Sequence, residues 1–242
     1  MREPRFFHPE PLCVGLETFM SESAGHHAAH VLRLKPGDKV ILFDGGGKDY
    51  SSCILSLSKA GVYVATEACV SSDRESPLLT ELAQGISAAE KMDFTLQKAV
   101  ELGVNRIVPL LTQRCVSKLT GEKAVRRVSH WRQVVIAACE QCGRSIVPEV
   151  APIESLDSYL QNKPDEVTGF MLSPRSVHGF SSFSRQNNLR LLVGPEGGLT
   201  EVEEQKVMES RFESVKLGPR ILRTETAALA ALSAINVLWG DF

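Results

Sequence analysis

The hydrophobic rhythm of this chain changes once, across the polar stretch Ser71-Ser72-Asp73-Arg74-Glu75-Ser76-Pro77, and that change constrains the fold more than any other feature. Upstream, residues 38–43 (DKVILF), 50–58 (YSSCILSLS) and 62–70 (VYVATEACV) are rich in the β-branched and aromatic residues of hairpin strands. Glycines in residues 44–49 (DGGGKD), and Lys59-Ala60-Gly61, supply the turns between them. One helical piece, residues 26–33, precedes the strands, and the whole fits a small β-barrel ending near residue 72.

Downstream the pattern alternates strand with helix, which points to a mostly parallel sheet covered on both faces. Strands are predicted over residues 79–86, 106–111, 147–151, 168–172, 189–193 and 214–217. The helix over 89–102 places Met92, Leu96, Ala99 and Val100 on one face and stops at Gly103. A second helix, 122–142, repeats Val125, Val128, Trp131, Val135 and Ala138 at helical spacing, with Arg126, Arg127 and Gln133 largely on the other face. The closing helix takes Thr224 as its N-cap and runs through Ala228, Leu232, Ile235 and Trp239. It is apolar nearly all round, so it must be buried on more than one side, by its own domain or by a second subunit. Two domains follow, residues 1–72 and 73–242, within a chain of 242 residues.

No apolar run reaches the length of a membrane span, and 43% hydrophobic against 23% charged residues excludes a disordered or fibrous chain. The N-terminus, MREPRFFHPEP, has charge and proline where an export signal needs an apolar stretch, so a cytoplasmic protein with six reduced cysteines is expected. Net charge is −2, yet from Arg114 to Arg144 seven Lys/Arg face two Glu. That window is +5 and the rest of the chain −7. Local contact with an anion such as a phosphate backbone and an ordinary solvated helix face both account for it.

Nucleotide and zinc-protease signatures of the GxGxxG, GxxxxGK[ST] and HExxH kinds are missing. What stands out is LLVGPEGGLTEVE, Leu191 to Glu203, where an apolar strand runs into Gly194-Pro195-Glu196-Gly197-Gly198 and then a helix capped by Thr200 with Glu203 at capping-box spacing. Three glycines at the carboxyl end of a strand offer main-chain donors to a ligand without side-chain obstruction; an ordinary strand-to-helix turn is the alternative. LGPRILRTETAALAALSA, from Leu217, repeats that logic. Arg220 and Arg223 stand just before a helix N-terminus, where the dipole disfavours cations, so they serve something anionic or each other. CEQC (Cys139 to Cys142) has no second metal-ligand pair and lies within a predicted helix, which favours packing. His26, His27 and His30 lack a nearby third ligand, and no metal site is expected.

These segments, with RFF (from Arg5), HVLRLKPGD (from His30), DFTLQKAVELGV (from Asp93) and CEQCGR (from Cys139), resemble the bacterial RsmE family, the 16S rRNA (uracil-N3)-methyltransferases of the SPOUT class, over essentially the whole chain. The resemblance implies an N-terminal PUA-like β-barrel, a C-terminal α/β domain with a trefoil knot, a homodimer, and S-adenosylmethionine as cofactor with 16S rRNA of the 30S subunit as partner. It assigns the cofactor pocket to Leu172, Gly194, Glu196, Gly197, Gly198, Leu217, Gly218, Ile221 and Leu222. Arg5, Lys91, Arg114 and Arg144 become candidate RNA contacts, joined by Arg126 and Arg127 from the basic window. Lys91 stands where the family commonly has arginine; a phosphate contact survives that change and bidentate recognition does not. The implied chemistry removes the N3 proton of an unpaired or flipped uracil and aligns N3 with the methyl donor. Arg223 is the candidate to stabilise negative charge on the base, and Glu196 is either the proton acceptor or a residue that orders the loop. Methylation at another RNA position by a SPOUT enzyme, and a non-catalytic ribosome-assembly factor, are the alternatives.

Overall fold

The computed structural model describes residues 3–116, 119–161 and 167–242. Two compact units divide it: Met1–Glu75 with Ile136–Val147, and Ser76–Val135 with Pro148–Phe242. The change of rhythm marks the first junction. The return of Ile136–Val147 to the first unit departs from the two consecutive segments expected.

In the first unit, β1 (Arg5–Phe7), β2 (Glu17–Phe19), β3 (Lys39–Phe43), β4 (Lys48–Ser58) and β5 (Gly61–Ser71) form one sheet in the order β1-β3-β4-β5-β2. Only the β1–β3 pair is parallel. β1 and β2 are the outer strands of this order, and among the described residues no pairing joins them. The β3–β4 turn passes through left-handed backbone at Gly45 and Gly47, as its glycines require. A helix, α1 (Glu22–His26), starts four residues earlier than predicted because the Ser21 hydroxyl caps it, and it runs into a π-turn, His27–Val31. Ala24 and Ala28 pack on Phe6, Val40, Leu42, Ile54, Val62 and Val64, the inner face of the strands.

A buried ion cluster ties Ile136–Val147 into this unit. The Arg5 guanidinium donates to both Asp49 carboxylate oxygens at 2.7 and 2.9 Å, and to the Ser145 hydroxyl at 2.9 Å. Ser145 in turn donates to Asp49, and Arg74 bridges Asp49 to the Gly143 carbonyl. Arg144 grips Glu75 through Nε and Nη2. Arg5 and Arg144 are 6% and 3% exposed. These two candidate RNA contacts are thus paired within the unit, Arg5 with buried Asp49 and Arg144 with half-buried Glu75. Cys139 is buried too, and burial pushes its thiol up to about 12, which leaves CEQC to packing.

The second unit carries seven strands, all parallel to their neighbours: β6 (Leu79–Gly85), β7 (Arg106–Leu111), β8 (Glu149–Val150), β9 (Glu154–Ser155), β10 (Thr168–Leu172), β11 (Asn188–Val193) and β12 (Phe212–Val215). Their order is β12-β10-β11-β6-β7-β8, with β9 also on β7. β11 therefore sits between two strands that precede it, and β10, β11 and β12 end side by side. β12 lies two residues earlier than predicted, because Phe212 is buried against Gly169 so closely that a Cβ there would stand 2.5 Å from its ring. The helices are α2 (Ala89–Glu101), α3 (Gly121–Cys142), α4 (Leu156–Gln161), α5 (Glu201–Glu209) and α6 (Thr224–Trp239). On α3 the buried face is Val128, Trp131, Val135 and Ala138; Val125, expected in that row, is exposed near the helix start. On α6, Ala228, Leu232, Ile235 and Trp239 are buried while Val237 and Leu238 face outward. None of the described helices is long and apolar enough to cross a membrane.

The Asp49 carboxyl makes the stability of the first unit depend on acid. Burial works to raise it, but the bonds from Arg5, Ser145 and Arg74 outweigh burial and hold it at about 2. A folded value below the unfolded one of about 3.9 contributes stability that is complete above pH 4 and lost as pH falls through 2, worth about 2 kcal/mol. Asp49→Asn should cost about 3 kcal/mol at neutral pH, because it strands buried Arg5. Urea unfolding between pH 4 and pH 2 should be steep in the wild type and flatter in the variant; equal slopes would contradict this account.

Candidate active site

A cavity of about 540 Å³ opens at the carboxyl ends of β10, β11 and β12. Open parallel sheets bind their ligands at this edge. Its walls include every residue of the expected cofactor pocket: Leu172 after β10; Gly194, Glu196, Gly197 and Gly198 after β11; Leu217, Gly218, Ile221 and Leu222 after β12. Arg223, Arg220, Lys91 and Arg114 line it as well. Arg126 and Arg127 do not; they sit on α3, where Arg126 is highly exposed and pairs with Glu122 one turn away. Lys118, another cation of the basic window, lies outside the described residues.

Backbone shape makes the two turns. After β11, Gly198 adopts left-handed backbone and its amide donates to the Pro195 carbonyl at 2.8 Å. A Cβ on Gly194 would come within 3.2 Å of the Leu199 nitrogen, a tight contact that would require the turn to give by a few tenths of an ångström. The turn then enters α5 through a complete capping box, Thr200 with Glu203. Glu203 also accepts from the Gln113 amide at 2.8 Å, and Arg114 donates to the carbonyls of Gly197 and Leu199 at 2.9 and 3.3 Å. Arg114, expected on RNA, thus props the glycine turn from the loop after β7. After β12, Gly218 is again left-handed and leads to Arg223, which takes the N-cap position of α6. Thr224, expected as that cap, is the first helical residue, and its hydroxyl donates instead to the Gly194 carbonyl at 2.6 Å.

Glu196 is engaged rather than free. Its carboxylate accepts from the Ala88 amide at 2.9 Å, at the start of α2, and lies 3.5 Å from the Lys91 ammonium. Partial burial works to raise its carboxyl, and the Ala88 amide, its own amide and Lys91 outweigh that and hold it below the ordinary range. A carboxylate so stabilised is a poor proton acceptor and a good anchor for the turn. Arg220 and Arg223, by contrast, are exposed and form no ion pair or side-chain hydrogen bond with the described residues, nor with each other. The walls of the cavity thus include main-chain groups, apolar Leu172, Leu217 and Leu222, and the exposed cations Arg220 and Arg223. Among the described residues no group of three or more His, Cys, Asp or Glu side chains could hold a metal ion.

Sequence reasoning missed Gln84 and Gly85 at the end of β6. A Cβ on Gly85 would stand 2.5 Å from the Pro195 nitrogen, so the first turn rests directly on this glycine. A glycine inside an otherwise regular strand is the signal of such close approach.

Comparison with known proteins identifies the family. Residues 74–236 match an RNA methyltransferase domain family and residues 21–67 an RNA methyltransferase PUA domain. A ribosomal RNA small subunit methyltransferase E of Buchnera aphidicola subsp. Schizaphis graminum is 35% identical over 99% of this chain and 98% of the relative. Its namesake from Bacillus subtilis is 34% identical over 87% and 86%. Among solved structures, a ribosomal RNA small subunit methyltransferase E from Neisseria gonorrhoeae bound to S-adenosyl methionine superposes with a TM-score of 0.93 at 41% identity, covering all of both chains. A methyltransferase from Legionella pneumophila in complex with the same cofactor gives 0.96 at 35% identity, also over both whole chains. Fold and site together define an RNA methyltransferase domain preceded by a PUA-like domain. The chain belongs to the ribosomal RNA small subunit methyltransferase E family.

Gly85→Ala should lower the urea midpoint by the equivalent of about 1–3 kcal/mol, the cost of forcing a methyl group into a packed contact. An unchanged midpoint would show that Pro195 can move away freely.

Proposed function

We propose that this protein transfers the methyl group of S-adenosylmethionine to N3 of a uridine in 16S rRNA, with the 30S subunit as its setting, working as a cytoplasmic homodimer. On this reading residues 1–72 bind RNA and residues 73–242 form a SPOUT methyltransferase domain with a trefoil knot. The observation that carries it is the convergence of all nine family pocket residues on one cavity that also presents Arg223, unpaired among the described residues.

The residues present fit the cofactor. Left-handed Gly198 and Gly218 expose main-chain groups where a side chain would obstruct, which suits the polar edge of an adenine, and Leu172, Leu217 and Leu222 provide apolar walls. When bound, the cofactor supplies an electrophilic methyl on a sulfonium, so the chain itself has to position the base and manage its charge. Loss of the N3 proton leaves negative charge on the uracil oxygens, and Arg223 is free to meet it. That cation favours the deprotonated base, and exposure of Arg223 lets the proton depart to water. Glu196, committed to Ala88 and Lys91, keeps the first turn in place and is not the base. Arg126 and Arg127 hold RNA phosphates from α3. The exposed apolar residues Val237 and Leu238 of α6 suit a second copy of the chain.

Arg223→Ala should slow single-turnover methyl transfer into 30S subunits by about 10² to 10³, the usual cost of one preorganised donor to a developing oxyanion, with calorimetric S-adenosylmethionine affinity within about threefold of wild type. Normal transfer with much weaker cofactor binding would move Arg223 to the cofactor's side. Neutralising Arg126 and Arg127 together should reduce the slope of log K against log salt for RNA by about 2 and leave cofactor affinity alone. An unchanged slope would make that helix face merely solvated.

A further inference from the structure

We propose that Thr224 is a positioning residue, whose hydroxyl, oriented by buried Gln84, clamps the two glycine turns at the spacing the cofactor needs. The proposal rests on the cofactor reading above. Gln84 is fully buried at the end of β6, and its Nε2 lies 3.0 Å from the Gly85 carbonyl and 2.9 Å from the Thr224 hydroxyl. A carbonyl only accepts, so the atom facing Gly85 has to be the amide nitrogen, and its two protons are then both placed. Thr224 accepts from Gln84 and is left with one proton, directed at the Gly194 carbonyl 2.6 Å away.

Each partner occupies a telling place. Gly194 is the first residue of the turn after β11, and Thr224 follows Arg223 at the end of the turn after β12. β10 lies between those strands, so no ladder bond joins β11 to β12. Among the described residues this hydroxyl makes the hydrogen bond that connects the two turns. It therefore sets the gap between the two main-chain cradles and holds the backbone from which Arg223 projects. Among the described residues Gln84 Oε1 has no hydrogen-bond partner, a buried acceptor left unsatisfied while the nitrogen serves Thr224.

Thr224→Ala and Thr224→Ser separate the hydroxyl from the packing around it. Hydrogen exchange on the ligand-free protein should show the amides of residues 194–199 and 217–223 exchanging about tenfold faster in the alanine variant, with S-adenosylmethionine affinity about tenfold weaker by calorimetry. The serine variant should restore both. Wild-type exchange in the alanine variant, or a serine variant no better than alanine, would overturn the clamp. If the alanine variant does not fold, Gln84→Met decides: it should loosen the same two segments, and unchanged exchange there overturns the proposal. Wild-type protein that fails to bind S-adenosylmethionine would sink the functional reading, while the exchange result on free protein still decides the clamp.

Discussion

The close contact between the turn after β11 and the end of β6 governs the carboxyl edge of the parallel sheet. Gly85 has to lack a side chain because Pro195 occupies that space, and Gly194 is closely overlaid by Leu199. Once the turn is seated there, its carbonyls and amides are fixed, and the surrounding residues reinforce it from three sides. Glu196 reaches to the start of α2, Arg114 donates from the loop after β7, and Thr224 donates from α6. A site built this way is preorganised by backbone, so that its main-chain groups stand in place before a ligand arrives.

Charged residues divide into two kinds, and the division decides what each can do. Arg5, Arg144, Lys91 and Arg114 are tied to carboxylates or carbonyls within their own unit, where they hold shape. Arg220 and Arg223 have no such tie among the described residues, and they stand at the cavity, where they are free to meet a substrate. Position in a motif does not separate these roles; burial and partnership do.

Much of this was legible in the residues. β-branched runs located the long strands, the glycine turns marked the edge where the cavity lies, and the capping box at Thr200 and Glu203 formed as its spacing implies. Features that depend on contact between distant segments were not legible. Nothing local to Arg5 announces Asp49, forty-four residues away, and nothing in CEQCGR says that its loop returns to the first unit. Thr224 looked like a cap because threonine caps helices well, yet the Gly194 carbonyl, just after β11, takes its hydroxyl instead. The insertion of β11 between β6 and β10 is equally invisible to pattern, since periodicity carries no strand order.

The central claim is that a cavity formed by two glycine turns brings a methyl donor to the Watson–Crick edge of uracil under the influence of Arg223. Its most direct test is the identity of the product. 30S subunits incubated with the protein and methyl-labelled S-adenosylmethionine, then digested to nucleosides, should yield label in 3-methyluridine from 16S rRNA. Label on a ribose hydroxyl or on another base, or none at all with an intact cofactor site, would contradict the account.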